Sequence, residues 1–234
     1  MSAAAIIVAG GQGTRLGAGV NKVFIKVDAR SILERSLDLF DSSLSVDEIV
    51  LVARPSDLAQ CEALRRHFGK LAQVVPGGDL RHRSEFAGLR ALAARIDAGE
   101  VETVLVHDAV RPFASRGLIE RLLAGVGDDI GCIPGLPVGR AAALVADGWI
   151  VGYPRNIWTV QTPQAFQASW LLEAHNKAAR QGFIGTDTAS VVEWAGGSVA
   201  VIEGEADNIK ITTPQDLKRA ERIVASRPGS ASGD

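Results

Sequence analysis

Residues 6–22 read IIVAGGQGTRLGAGVNK and decide the fold that we expect for this chain. The apolar run at 6–8 predicts a buried parallel strand, and the strand breaks into a glycine-rich loop. Glycines let the backbone adopt positive φ and bring bare N–H groups close to a ligand. Arg15 and Lys22 add fixed positive charges, which indicates a strongly anionic ligand, and a polyphosphate fits best. For the glycines alone, a plain turn is the alternative.

The spacing of this loop excludes two common phosphate-binding motifs. A P-loop needs a Lys-Ser or Lys-Thr pair after its glycines, and no such pair follows here. A dinucleotide-binding loop needs Gly-x-Gly-x-x-Gly, but Leu16 stands at its last position. The loop therefore predicts a different kind of polyphosphate site.

Composition indicates an ordinary globular protein. The 234 residues are 47% hydrophobic and 22% charged, and the formal net charge of −2 gives no support to binding of nucleic acid or of a membrane surface. No apolar run reaches the roughly 18 residues that a membrane helix needs. Cys61 and Cys132 show no paired spacing, so neither a zinc site nor a disulfide framework is indicated. We expect a cytoplasmic protein.

The chain alternates between strand-like and helix-like segments. Apolar β-branched runs such as 48–53 and 102–107 are separated by helical patterns such as 84–96 and 214–226. This alternation predicts an α/β fold with a mostly parallel sheet covered by helices on both faces. Ligands of such sheets bind beyond the carboxyl ends of the strands, so the loop after 6–8 and the residues after 107 belong at one edge.

Two segments stand apart from this pattern. Residues 134–155 are rich in glycine and proline, which predicts a β-arm that leaves the core and reaches a second copy of the chain in a homodimer. Residues 227–234 are small and polar, which predicts a disordered tail. The remainder, within residues 1–226, is expected to form a single domain.

Asp108 and Arg111 follow the strand that ends near residue 107. A carboxylate at that position can hold a Mg²⁺ ion that bridges phosphate oxygens. Arg111 can clamp a second anionic group with its planar guanidinium. The alternative is an ion pair between the two that only fixes the loop. His107 is expected to pack in the core rather than to act as an acid or base.

A second glycine-rich loop occupies residues 77–84. Gly78 and Asp79 suit recognition of a base edge, and Ser84 can cap the helix that follows. For residues 81–83, Arg-His-Arg, a solvated helix face is the alternative to a binding role.

Lys210 is an isolated cation in an apolar stretch after another strand. Thr213 and Pro214 after it predict the start of a helix, with the threonine as N-cap. Lys210 can merely snorkel to solvent, but beside Arg15 and Lys22 it adds a cation to the same edge. Cations, one carboxylate, a glycine-rich cradle and no nucleophile–base pair indicate nucleotidyl transfer by positioning and charge neutralisation.

These stretches together resemble a family of cytidylyltransferases, which includes the 2-C-methyl-D-erythritol 4-phosphate and ribitol 5-phosphate enzymes. The resemblance runs from about residue 5 to residue 224. It implies a Rossmann-like domain with a protruding dimerisation arm, and transfer of CMP from CTP to a polyol phosphate with Mg²⁺ as cofactor. It further implies a nucleotidyltransferase domain over 1–226 and a homodimer formed through 134–155.

The resemblance also implies roles for particular residues. The expected catalytic cations are Arg15, Lys22 and Lys210. The expected nucleotide-binding residues are Ala9, Gly10, Gly11, Gly13, Gly78, Asp79, Ser84 and Ala109. The expected acceptor-binding residues are Asp108, Arg111, Arg140, Arg155 and Thr162, and Asp108 is the expected metal ligand.

The arm departs from the family pattern. After Pro137-Val138 the family usually carries Asp-Thr-x-Lys, whereas this chain has Gly-Arg-Ala-Ala-Ala at 139–143. Ala141 cannot donate the hydrogen bond of that threonine, and Arg140 can supply a different anion contact. Methylerythritol phosphate is the acceptor that we expect first. Other acceptors stay open, namely ribitol phosphate, another polyol phosphate or a phosphonate. Two other functions also stay open: a uridylyltransferase activity, and CTP binding by a paralogue without turnover.

Overall fold

The structure, a computed structural model, describes residues 2–11 and 21–227. Its strands are β1 (Ala3–Val8), β2 (Lys26–Val27), β3 (Arg30–Ser31), β4 (Glu48–Ala53), β5 (Leu71–Pro76), β6 (Thr103–Asp108), β7 (Ile130–Pro137), β8 (Leu144–Ala146), β9 (Trp149–Gly152), β10 (Trp158–Val160), β11 (Gln164–Gln167) and β12 (Ser198–Glu203). Its α-helices are α1 (Ile32–Asp41), α2 (Leu58–Glu62), α3 (Arg81–Asp97), α4 (Arg116–Gly125), α5 (Ala168–Gln181), α6 (Thr188–Ala195) and α7 (Pro214–Ser226). Short 3-10 helices cover Lys22–Phe24, Pro55–Asp57 and Ala63–Arg66.

The central sheet has eight strands, in the order β5-β4-β1-β6-β11-β7-β10, with β12 paired to β7. The pairs β1–β4, β1–β6, β4–β5 and β7–β12 are parallel. The predicted α/β fold with a mostly parallel sheet is therefore confirmed. Strands β10 and β11 run antiparallel to their neighbours, which makes the sheet mixed.

The core lies on both faces of the sheet. Successive residues of a strand point to opposite faces, so Ile7 packs in one apolar cluster with Leu51 and Leu105, while Ile6 packs in the other. Helices cover both clusters, and the central strands β1, β4 and β6 are buried along their whole length. Burial on both faces explains why these strands read as continuous apolar runs.

Helix α7 begins where the sequence predicts. Thr213 caps α7 by accepting a hydrogen bond from the backbone N–H of Asp216, and Pro214 is the first helical residue. The prediction for the start of this helix is confirmed. The backbone before it, which carries Lys210, is thereby tied to a rigid helix.

The segment 134–155 contains the end of β7 and the hairpin of β8 and β9. Within the described ranges, β8 and β9 pair only with each other. Their apolar side chains are exposed, and Trp149 is 78% exposed. None of the helices in the described part of the chain is long and apolar enough to cross a lipid bilayer.

Gly88 sets how closely α3 packs on the sheet. A Cβ atom at this position would lie 2.5 Å from Cγ2 of Ile6 and 3.0 Å from Cγ2 of Val52. We therefore expect Gly88→Ala to lower the free energy of unfolding by about 1–3 kcal/mol, measured by urea denaturation. Gly117→Ala is the matched control, because the nearest atom to its Cβ is 3.7 Å away. Equal effects of the two substitutions would contradict this packing account.

Candidate active site

A cleft of about 590 Å³ opens where β1 and β6 end, beside the first turn of α3. Its volume is typical of small-molecule sites, which span about 300–1,000 Å³. Val8 and Asp108 are register partners, so the loops after both strands border one cleft. The prediction that these loops share one edge of the sheet is confirmed. The predicted residues that line the cleft are Ala9, Gly10, Gly11, Lys22, Asp79, Ser84, Asp108 and Lys210.

Asp108 is buried at the base of the cleft between two cations. Its Oδ1 accepts a hydrogen bond from Nε of Arg81 at 2.8 Å, and its Oδ2 accepts one from Nζ of Lys210 at 2.7 Å. Burial raises the pKa of Asp108, but Arg81 and Lys210 outweigh burial and hold this pKa well below its usual range. Asp108 therefore stays ionised at neutral pH.

Lys22 is placed beside the end of β1 by its neighbour Asn21. The Asn21 side chain caps the 3-10 helix that Lys22 begins, and its Nδ2 donates to the Ala9 carbonyl at 3.3 Å and to Oδ2 of Asp57 at 2.7 Å. These bonds tie the far end of the glycine-rich loop to β1. Lys22 is consequently fixed at the wall of the cleft.

Lys210 reaches the cleft from a segment whose backbone is anchored on both sides. Ile209 and Ile211 are buried, and the Ile211 N–H donates to the Val110 carbonyl at 2.9 Å. The Lys210 side chain itself is 43% exposed. The cation is thus held in position by its backbone while its ammonium group stays accessible to a ligand.

Ser84 does not cap α3, which corrects the sequence prediction. The helix begins at Arg81, before Ser84, and Leu80 occupies the N-cap position without a side-chain bond. The Ser84 hydroxyl instead accepts from the Gly78 N–H at 3.1 Å and donates to the Leu80 carbonyl at 3.1 Å. A Cβ on Gly10 would lie 3.1 Å from this hydroxyl, so Ser84 joins the two glycine-rich loops closely.

Residues 81–83 do not share one environment. Arg83 is exposed and pairs with Asp79 at 2.8 Å, so a solvated face describes this residue correctly. Arg81 lines the cleft, and His82 is buried. The interpretation of the whole Arg-His-Arg run as a solvated face is therefore wrong.

A second cavity of about 260 Å³ adjoins the cleft, and Lys210 lines both. Arg111 lines this second cavity and donates to the carbonyls of Asn208 at 2.9 Å and Val160 at 3.3 Å. The alternative of an ion pair between Arg111 and Asp108 is therefore wrong. The two cavities together offer adjoining spaces for two anionic ligands.

Two predicted binding residues lie behind the cleft rather than on its wall. Thr162 is buried, and its hydroxyl accepts from the Asp108 N–H at 3.0 Å. Ala109 is fully buried, and its N–H donates to the Val8 carbonyl at 3.1 Å. Both residues support the backbone around Asp108. Their roles in ligand binding stay predictions.

His107 packs in the core, as the sequence predicts. Its ring contacts Phe40 edge-on with centroids 5.1 Å apart, and its Nδ1 lies 3.2 Å from the Thr162 hydroxyl. Burial lowers the pKa of His107 to about 4, so the imidazole is neutral at pH 7.

The remaining predicted residues lie elsewhere. Arg140 and Arg155 are exposed and lie close to the β8–β9 hairpin, and neither lines the cleft or the second cavity. Arg15 and Gly13 lie outside the described residues, as do residues 228–234 of the predicted tail.

For Arg81, sequence reasoning left a solvated face and a binding role open, and it missed the contact of this residue with Asp108. Its Nη1 donates to Glu85 at 2.8 Å, one helical turn along α3, and its Nε reaches Asp108. A spacing of four residues is the signal of a helical ion pair, but the sequence places the helix start at residue 84. No local sequence pattern predicts the contact between Arg81 and Asp108.

The fold and the cleft define a class of protein. The sheet is mixed, with a parallel centre, and a glycine-lined cleft opens at the carboxyl ends of its strands. Cations surround one ionised carboxylate in this cleft. These are features of α/β proteins that bind nucleotides. The family model described as 2-C-methyl-D-erythritol 4-phosphate cytidylyltransferase matches residues 3–226. The chain belongs to this family of cytidylyltransferases.

Individual relatives agree with this assignment. The chain is 42% identical to the 2-C-methyl-D-erythritol 4-phosphate cytidylyltransferase of Bacillus licheniformis, over 94% of both chains. It is 40% identical to that of Geobacillus thermodenitrificans, over 97% of this chain and 99% of the relative. Among solved structures, the 4-diphosphocytidyl-2C-methyl-D-erythritol synthase of Anaerococcus prevotii matches with a TM-score of 0.83 and 29% identity, over 95% of this chain and 96% of the other.

Removal of the Asp108 charge should destabilise the protein. We expect Asp108→Asn to lower the free energy of unfolding by about 3–5 kcal/mol at pH 7, because Arg81 and Lys210 lose their shared buried anion. The low pKa of Asp108 contributes stability above its ordinary value of 3.8, and this stability is lost as pH falls below it. Urea denaturation at several pH values should show the two proteins converging below pH 3.8. A difference that stays constant with pH would contradict the account.

Proposed function

We propose that this chain transfers CMP from CTP to 2-C-methyl-D-erythritol 4-phosphate, with release of pyrophosphate, as a step of isoprenoid precursor synthesis. The observation that carries the proposal is that Lys22, Arg81 and Lys210 line one cleft together with Asp108, in a member of this family. A triphosphate needs such a set of cations, and Asp108 keeps two of them, Arg81 and Lys210, in place.

The proposed reaction is a direct displacement. An oxygen of the acceptor phosphate attacks the α-phosphorus of CTP and forms a new P–O bond. The bond from the α-phosphorus to the bridging oxygen breaks, and pyrophosphate leaves with the electron pair. Lys22 and Lys210 neutralise the charge that accumulates on the phosphate oxygens, and we assign the same role to Arg15.

No side chain is required as a nucleophile. Thr162 and His107 form a hydroxyl–imidazole contact near the cleft, but both are buried. The Thr162 hydroxyl already accepts from the backbone of Asp108, so its position supports a loop rather than attack on phosphorus. Catalysis by this chain consists of binding, orientation and charge neutralisation.

The nucleotide is proposed to lie across the two glycine-rich loops. The backbone of residues 9–11 and Gly13 would receive the phosphates, and Gly78, Asp79, Ser84 and Ala109 would surround cytidine. The close approach of Gly10 to the Ser84 hydroxyl supports this arrangement, because a side chain there would fill the cradle. We propose that the phosphates bind against the backbone at the point where the two loops meet.

We propose Mg²⁺ as the cofactor. Mg²⁺ is commonly held by one or two carboxylates together with substrate phosphates, and the ionised Asp108 on the cleft wall offers such an oxygen donor. Residues 2–11 and 21–227 contain no cluster of three or more side chains able to form a metal cage. Asp108 would therefore hold the ion jointly with the triphosphate, and the ion would neutralise phosphate charge when bound.

The acceptor is proposed to occupy the second cavity, next to Lys210 and Arg111. Arg140, Arg155 and Thr162 are further acceptor residues of the proposal, with the two arginines supplied by the arm of a second subunit. Ribitol 5-phosphate or another polyol phosphate is the second candidate, because the arm carries Arg140 and Ala141 in place of the family's aspartate and threonine.

We also propose a homodimer formed through residues 134–155. The arm exposes Trp149, Ile150, Val151 and Tyr153, each by more than half of its surface. Exposed apolar side chains concentrated in one hairpin are typical of protein–protein interfaces. A cytoplasmic location is part of the same proposal.

Loss of the cleft lysines should abolish most turnover. We expect Lys22→Ala and Lys210→Ala each to lower kcat by about 10²–10³-fold, because each removes a cation from the phosphate site. Pyrophosphate release from CTP and methylerythritol phosphate measures this effect, and circular dichroism checks the fold. Lys218→Ala, on the exposed side of α7, is the matched control and should keep full activity. Full activity of both cleft variants would overturn the assignment of this cleft as the active site.

The same assay tests the substrates. CTP should exceed UTP, ATP and GTP clearly, and methylerythritol phosphate should exceed ribitol phosphate and other polyol phosphates. A ribitol phosphate preference would overturn the first acceptor in favour of the second. Binding of CTP by calorimetry without pyrophosphate release from any acceptor would identify a paralogue without turnover.

The dimer proposal predicts complementation between subunits. Arg155→Ala and Lys22→Ala should each be nearly inactive alone, yet unfolding and refolding them together should restore about a quarter of wild-type activity. Mixed dimers would join an intact cleft to an intact arm. Trp149→Asp with Ile150→Asp should give a monomer by analytical ultracentrifugation. A wild-type monomer, or no restoration on mixing, would contradict the proposal.

A further inference from the structure

A continuous row of polar contacts connects the core to the cleft. Nε2 of His175 lies 2.9 Å from Oε1 of Glu85, and Oε2 of Glu85 accepts from Nη1 of Arg81 at 2.8 Å. Nε of Arg81 then reaches Asp108 at 2.8 Å. The row thus joins helices α5 and α3 to the end of β6.

Glu85 is the anion in the middle of this row, and its side chain is fully buried. Burial raises the pKa of Glu85, but His175 and Arg81 outweigh burial and lower it. A buried carboxylate is tolerated only when it is hydrogen-bonded and paired with opposite charge. Glu85 therefore depends on Arg81, and Arg81 is in turn held by Glu85.

His175 supports Glu85 from the core side. The His175 ring is fully buried and stacks on His82 with centroids 4.9 Å apart and on Phe86 at 5.8 Å. Its Nδ1 is buried and has no hydrogen-bond partner among the described residues. A proton on Nε2 lets His175 donate a hydrogen bond to Glu85, which fixes the orientation of the carboxylate.

Arg81 is fixed on two sides of its guanidinium group. Glu85 holds Nη1 and Asp108 holds Nε, while the side chain lines the cleft. Its Nη2 is buried without a partner in the described ranges, so the protein there supplies no acceptor for this donor. A guanidinium held in this way is pre-organised for an anionic or carbonyl ligand.

We infer that Arg81 is a further nucleotide-binding residue of the cleft, and that Glu85 and His175 are positioning residues that fix it there. The inference rests on the proposed function, since the ligand is taken to be CTP. Glu85 and His175 do not line the cleft, so they act on the nucleotide only through Arg81.

A double-mutant cycle tests this inference by the Kd for CTP with Mg²⁺, measured by isothermal titration calorimetry on the full chain. Glu85→Gln should weaken CTP binding about tenfold in the wild-type background, because Arg81 loses one of its two anchors. In the Arg81→Ala background the same substitution should change Kd by less than about twofold. A purely structural role of Glu85 would weaken binding equally in both backgrounds, and that result would overturn the inference.

Matched variants separate positioning from stability. Glu48→Gln removes another buried carboxylate that pairs with an arginine, Arg95, but at the opposite end of the sheet. It should lower Tm without changing Kd. His175→Leu should weaken CTP binding as Glu85→Gln does, and His175→Gln, which keeps an N–H donor for Glu85, should restore it. If Glu85→Gln does not fold, His175→Leu and His175→Gln replace it in the double-mutant cycle with Arg81→Ala.

The outcomes distinguish this inference from the proposed function. CTP binding that is unaffected by Glu85→Gln and His175→Leu overturns the inference alone. Normal effects on Kd, together with no pyrophosphate release by the wild-type protein, overturn the proposed activity alone. A wild-type protein that does not bind CTP overturns both.

Discussion

The ion pairs of Asp108 with Arg81 and Lys210 are the interaction on which the site depends. A buried carboxylate is costly by itself, and two cations side by side repel each other. Together the three groups compensate one another and bring together three separate parts of the chain, namely the end of β6, the start of α3 and the segment before α7. The geometry of the cleft follows from this charge balance.

The sheet makes this balance possible. Parallel pairing of β1 with β6 brings the glycine-rich loop and Asp108 to the same edge, and the Ile211–Val110 backbone bond carries Lys210 to it. Asp108 is consequently buried at the base of the cleft. Charged groups that would interact weakly at an open surface become a fixed electrostatic environment for phosphate.

The fold and about half of the site could be predicted from the sequence. Buried parallel strands give long apolar runs, so β1, β4 and β6 and the carboxylate after β6 were identifiable. Strand β11 is four residues long and lies between polar residues, so periodicity could not reveal it. The contacts of Arg81 arise from tertiary packing. The burial of Ala109 and Thr162 also depends on neighbours that are distant in sequence.

The central claim is that the cations around Asp108 form the nucleotide site, and a crystal structure of the chain with CTP and Mg²⁺ tests it most directly. The account predicts that phosphate oxygens lie within hydrogen-bond distance of Lys22 and Lys210, with Arg81 still bonded to Asp108. A triphosphate bound away from this cleft would contradict the account, and so would loss of the bond between Arg81 and Asp108.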